Sequence, residues 1–155
     1  MYRNTNFLKS VFCAASGFWY ALRRERNLRF HLVITNLICV FAYFYGLTRT
    51  QWAILVLMIL LMIITELVNT SIERTVDTAT QEYCATAKAA KDVAAAAGRF
   101  SAAGGLCVGC FLFLDPAKIA DAIHSILASP QTVMAVAVLT ALDLLFLLFA
   151  GKHQK

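Results

Sequence analysis

Apolar and polar positions alternate at helical spacing before the chain turns continuously apolar. Between residues 5 and 24, Phe7, Val11, Phe12, Ala15, Phe18, Trp19 and Leu22 recur every three or four residues, with Asn6, Lys9, Ser10, Ser16 and Arg23 among the other positions. That pattern predicts an amphipathic helix lying in the membrane interface. Four apolar runs follow. Residues 30–47 are apolar except for His31, Thr35 and Asn36, and residues 52–71 are apolar until Glu66. Residues 93–114 are rich in Ala and Gly, which suits close helix packing in lipid. The fourth run, 133–150, is set apart by Asp115-Pro116 and Ser129-Pro130. Each run is near the roughly 20 residues that cross a hydrocarbon core. The predicted fold class is all-α integral membrane, with one surface helix and four spans.

Composition supports lipid as the solvent. The 155 residues are 60% hydrophobic and 15% charged, with a mean hydropathy of +0.68. A soluble domain carries about a quarter charged residues, and so small a core cannot hide this much apolar sequence. Of the 14 Lys and Arg residues, only Arg49 and Lys118 fall outside if the N-terminus is cytoplasmic. Arg3, Lys9, Arg23, Arg24, Arg26, Arg29, Arg74, Lys88, Lys91, Arg99, Lys152 and Lys155 then lie inside. That asymmetry predicts cytoplasmic termini, with Tyr43, Tyr45 and Trp52 in the outer aromatic belt. The net charge of +5 reflects this topology and calls for no nucleic acid. Arg23, Arg24 and Arg26 precede the first long apolar run and no small-residue cleavage site follows, so no cleaved leader is predicted. The five cysteines are odd in number and scattered, which argues against a disulfide framework. Cys107 and Cys110 form a C-x-x-C without a second pair and read as small residues on a membrane helix.

The chemistry concentrates at the end of the second run. At about 100° per residue, Glu66, Asn69, Glu73 and Asp77 fall within an arc of roughly 80° on one helix face. A solvated helix end accounts for Asp77 and, with it, Glu73. It does not account for Glu66, because a carboxylate in hydrocarbon is costly and marks function. Two clusters could complete a site: Glu25-Arg26-Asn27 before the first run, and Lys88, Lys91 and Asp92 on one face before the third. Carboxylates with lysine at one membrane surface suit a Mg-nucleotide. Mg²⁺ takes one or two carboxylates plus phosphate oxygens, lysine neutralises phosphate, and a carboxylate can deprotonate an attacking hydroxyl. Neither a Walker loop nor a G-x-G-x-x-G is present, so phosphoryl transfer here would use another architecture.

The run Glu66-Leu-Val-Asn69-Thr-Ser-Ile-Glu73-x-x-x-Asp77 resembles the signature of the prokaryotic diacylglycerol kinase family, which includes undecaprenol kinases. Ala87-Lys88-Ala-Ala-Lys91-Asp92-Val-Ala-Ala extends the resemblance, as do Lys9-Ser10, Gly17 and Glu25-Arg-Asn-Leu-Arg-Phe-His31. It covers about residues 7–114. Residues 1–114 are thus expected to form a membrane lipid-kinase domain, with 115–155 a C-terminal extension carrying the fourth span. The resemblance implies a homotrimeric inner-membrane enzyme with sites shared between subunits, using ATP and Mg²⁺ on a membrane lipid alcohol. It implies that Glu66 is the general base, with Asn69 beside it at the catalytic centre. It implies Glu25 and Glu73 as metal ligands that also meet the nucleotide, Glu82, Lys91 and Asp92 as further nucleotide-site residues, and Asp77 and Lys88 in support. Undecaprenol and diacylglycerol are the candidate acceptors, and Glu25-Arg26-Asn27 with Asn69-Thr70 favours undecaprenol.

Three departures stand out. Cys84 occupies a position where the family usually has His, Arg99 lies in the third span where the family is apolar, and the fourth span brings Asp143. Counted inward, Arg99 is about 10 Å past Asp92 and Asp143 about 13 Å from Lys152, so an intramembrane Arg99–Asp143 pair is expected to dock the added helix, the alternative being that each snorkels separately. Two other function classes remain open on the residues alone. One is a small transporter or channel subunit using the acidic stripe for protons or cations, which Lys91 would oppose. The other is a non-catalytic relative of the kinase, against which the intact stripe argues.

Overall fold

The structure is a computed structural model that describes residues 7–80, 82 and 84–149. All its regular structure, among the described residues, is helical: α1 (Phe7–Arg24), α2 (Arg26–Tyr45), α3 (Arg49–Ala79), α4 (Ala85–Leu112), α5 (Pro116–Leu127) and α6 (Pro130–Phe149). Helices α2, α3, α4 and α6 are long and apolar enough to span a membrane, matching the four runs. The ends of the predicted surface helix (Thr5, Asn6) and fourth span (Ala150), with Arg3, Lys152 and Lys155, lie outside the described residues.

Helix ends follow local chemistry. Gly46 closes α2 in the left-handed conformation at φ 74°, which only glycine adopts without steric cost. Thr48 then opens α3 with a reciprocal capping box to Gln51. The 31 residues of α3 extend about 46 Å at 1.5 Å per residue, against roughly 30 Å of hydrocarbon. Its last turns therefore stand clear of the apolar layer, paired with the first turns of α4.

A bend at Glu25 joins α1 to α2. Leu28 is fully buried against Ala21 and Leu22, with Phe18, Leu32, Ile63, Leu67 and Phe146 around them. The buried Arg29 guanidinium reaches back and donates to the carbonyls of Leu22 at 3.0 Å and Arg23 at 2.9 Å. It thereby satisfies acceptors that a helix leaves free in its last turn. Sequence inspection had no signal for this role, since Arg29 reads there only as one more inside charge.

At the opposite end of the bundle, Ala42, Tyr45, Leu47, Leu55, Leu112 and Ala122 form a second core. Tyr45, expected in the outer aromatic belt, turns inward at this end of α2. It is buried against Phe41 and Phe113, and its hydroxyl accepts the Asp115 N–H at 3.2 Å. Helix α5 was not foreseen: Asp115 caps it by accepting from Ala117 and Lys118 N–H, with Pro116 at its first position. The Asp-Pro pair, read as a break between spans, is a helix start.

The expected Arg99–Asp143 pair does not form. Helix α6 packs on α2 and α5 and has no packing contact with α4. Asp143 Oδ2 accepts from Asn36 Nδ2 at 2.7 Å, while Arg99 is exposed on α4. The added helix is docked through a polar contact, but its partner is the amide of α2. The depth count could not reveal which helices are neighbours.

Candidate functional site

Helix α3 places Glu66, Asn69 and Glu73 on one face at its emergence from the apolar layer. Glu66 is 6% exposed and Asn69 9%. Asn69 Nδ2 donates to Glu73 Oε1 at 3.0 Å, and Thr70 Oγ1 donates to the Glu66 carbonyl at 2.9 Å. From α2, the Asn27 side chain comes within hydrogen-bonding reach of the Glu66 carboxyl, and His31, Glu25 and Glu73 lie near enough for their charges to act on it. Asn27 and His31 are four residues apart, one turn of a helix. Asn27 belongs to the Glu25-Arg26-Asn27 cluster singled out from sequence, whereas His31 stood there only as a polar position in the first run, and the one-turn spacing was the available signal joining the two.

Helix α4 closes the third side with a bare backbone. A Cβ at Gly98 would lie 3.3 Å from Glu66 Oε2. The register that puts Gly98 there is pinned by hydroxyls: Thr65 and Ser101 meet at 2.7 Å, and Ser101 donates to the Gly98 carbonyl at 2.9 Å. Toward the far end of the bundle, an apolar groove of about 650 Å³ opens between α2 and α4 over the floor of α3. His31, Met62 and Ala102 line its near end. Glu66 and Gly98 stand one helical turn from Met62 and Ala102, so the carboxylate lies one turn beyond the groove's lining.

The charged residues beyond this core are distributed unevenly. Lys91 forms an ion pair with Asp77, which places Asp77 where it orients the lysine. Glu25 accepts from Arg74 at 3.4 Å. Lys88, Asp92 and Glu82 are exposed and make no hydrogen bond or ion pair with the acid cluster; Glu82 engages Thr80 through its backbone alone. The structure thus sets Glu66, Asn69 and Glu73 on one face of α3, with Asn27, His31 and Glu25 nearby on and before α2, and leaves Lys88, Asp92 and Glu82 outside.

A divalent cation fits this arrangement. Among the described residues, no group of three His, Cys, Asp or Glu side chains converges as a self-sufficient metal site. Mg²⁺ does not require one, because phosphates and water supply most of its ligands. Asn69 Oδ1 is buried without a hydrogen-bond partner, an acceptor beside the Glu73 carboxylate that lacks a donor or cation.

Cys84, in place of the family's usual His, is the N-cap of α4 and lies outside the spans. The Thr86 hydroxyl, 2.9 Å from its sulfur, holds the thiol below its ordinary range, helped by the backbone N–H groups of Ala87 and Thr86.

Residues 12–113 match the family described as prokaryotic diacylglycerol kinase. The chain is 38% identical to an undecaprenol kinase of Bacillus subtilis over 108 residues, covering 70% of this chain and 88% of that protein. It is 38% identical to a diacylglycerol kinase of Synechocystis over 112 residues, 72% of this chain and 64% of that one. A diacylglycerol kinase of Helicobacter pylori is 37% identical over 90 residues, 57% of this chain and 70% of that protein. No solved structure matches. The matched region holds the acid stripe, the α1–α2 bend and the start of α4, and the chain belongs to the prokaryotic diacylglycerol kinase family.

Proposed function

We propose that this chain is an integral-membrane lipid kinase that transfers the γ-phosphate of ATP to the hydroxyl of a membrane lipid alcohol. The observation that carries this reading is the buried Glu66 carboxylate one helical turn beyond the lining of an apolar groove. A lipid whose chain lies in that groove would present its hydroxyl to Glu66, with phosphates approaching from the polar side.

Glu66 accepts the hydroxyl proton as the lipid oxygen attacks the γ-phosphorus. The new P–O bond forms as the bond to the β–γ bridging oxygen breaks, giving a lipid phosphate and ADP. Asn27 and His31 hold the carboxylate in place, and Asn69 fixes Glu73. Glu25 and Glu73 would hold Mg²⁺, which when bound neutralises charge on the phosphates. Lys91, oriented by Asp77, adds positive charge on the same side. Asp92, Glu82 and Lys88 would join through nucleotide contacts or a neighbouring subunit, since the proposed assembly is a homotrimer with shared sites. The proposed setting is a bacterial inner membrane with both termini cytoplasmic, supported by the Lys and Arg asymmetry. Undecaprenol is the favoured acceptor, supported by the likeness to the Bacillus subtilis undecaprenol kinase across most of that protein.

The test is purified protein with Mg-ATP and either undecaprenol or diacylglycerol, scored for phosphorylated lipid. Wild type should form product, and Glu66→Gln should lose a factor of about 10² to 10⁴, the usual contribution of a general base. Absence of product from every lipid alcohol would overturn the reading.

A further inference from the structure

Helix α2 carries Asn27 and His31 to Glu66, yet the groove separates much of its length from α4. Three contacts hold it otherwise. Near its ends it rests in the two apolar cores. Along its remaining side it carries α6, through the Asn36–Asp143 hydrogen bond at mid-helix and Phe146 at the bend. The Phe146 contact is close to the chemistry, because its cluster includes Leu28 and Leu67, the chain neighbours of Asn27 and Glu66.

We infer that the α5–α6 arm is a brace that sets the position of α2 across the groove, and that Asp143 is a positioning residue for acceptor binding. The inference rests on the lipid-kinase reading of the Glu66 site. Its physical basis is register. Apolar helices in lipid slide and rotate at little cost, since one apolar contact replaces another. A carboxylate and an amide paired in hydrocarbon do not, because a shift of one turn leaves both without partners. The pair therefore fixes α6 lengthwise on α2 and seats Phe146 at the bend. With α6 seated, α2 cannot lean away from α3, so the spacing of Asn27 and His31 from Glu66 and the width of the groove are held together. Asp143 touches no part of the proposed reaction. It acts through α2.

Asp143→Leu removes the pin while keeping α6 apolar. Asn36→Asp with Asp143→Asn rebuilds the bond with donor and acceptor exchanged. Asp143→Leu should raise the KM for the lipid acceptor about three- to thirtyfold, the range expected of an interhelical hydrogen bond in a membrane, with the KM for Mg-ATP unchanged. The exchanged pair should return it toward wild type. In parallel, spin labels at Arg26→Cys on α2 and Val93→Cys on α4, in a background without native cysteines and diluted into unlabelled protein, report the gap at the site end. Their distance distribution should broaden in Asp143→Leu and narrow again in the exchanged pair. An unchanged acceptor KM, or a rise in both KM values that the exchange does not rescue, would overturn the brace. If wild type phosphorylates no lipid, the kinase reading fails, and the spin-label distances still decide the brace: broadening reversed by the exchange supports it, and an unchanged distribution overturns it.

Discussion

Arg29→Met should release α1 from the bundle while leaving the spans folded. The methionine keeps the apolar stem and removes the guanidinium, so no buried charge is stranded. Lost are the bonds to Leu22 and Arg23 carbonyls at 3.0 and 2.9 Å, both from one guanidinium nitrogen. A hydrogen bond to a charged group contributes about 1.5–3 kcal/mol net, and a cation at a helix C-terminus about 0.3–1 kcal/mol. Because the two bonds share a nitrogen they do not add fully. The Nε atom, buried without a partner, also subtracts from the gain. The expected loss is roughly 2–3 kcal/mol, about 30- to 150-fold in the docking equilibrium of α1. The two tryptophans separate local from global effects: Trp19 is on α1 and Trp52 on α3. Fluorescence-monitored melting in detergent, with Trp52→Phe or Trp19→Phe isolating each probe, should show the Trp19 transition moving well below that of Trp52. Two transitions moving together, or a Trp19 shift worth less than about 0.5 kcal/mol, would refute a local staple; surface substitutions typically fall within that bound.

Three further outcomes are expected. Gly98→Ala puts a methyl 3.3 Å from Glu66 Oε2, so the carboxylate must yield by a few tenths of an ångström; kcat should fall about tenfold or more with melting little changed, as small misplacements of a reacting group cost rate steeply. Gly105→Leu meets open space within the groove, so the acceptor KM should rise and the Mg-ATP KM should stay, with oligomeric state by light scattering confirming that assembly is intact. The Cys84 thiol, lowered first by Thr86, should be thiolate at lower pH than an ordinary cysteine; its maleimide rate against pH should rise early, and Thr86→Val should move that midpoint upward.

The Glu66–Asn69–Glu73 stripe is legible in the sequence alone because helical periodicity projects residues onto faces, and an acid after an apolar run has no cheap explanation in lipid. Asn27 and His31 were half-legible: they sit one turn apart on a predicted span, but which neighbour they face is a question of packing. Gly98 was not legible at all. A glycine in an Ala- and Gly-rich run looks like its neighbours until the Thr65–Ser101 contact sets the register between α3 and α4.

The same division holds for the fold. Hydropathy settles the number and approximate limits of the spans, since the cost of exposing backbone and charge to hydrocarbon is paid residue by residue along the chain. Partners between spans are another matter: nearly any apolar face can lie against any other in lipid, so one-dimensional pattern hardly distinguishes the pairings. Asp143 illustrates both halves. Its burden as a charge in a span is visible in the sequence, but the choice of Asn36 over Arg99 as its partner follows only from α6 lying on α2, which places the amide within 2.7 Å and leaves Arg99 on a helix it does not touch.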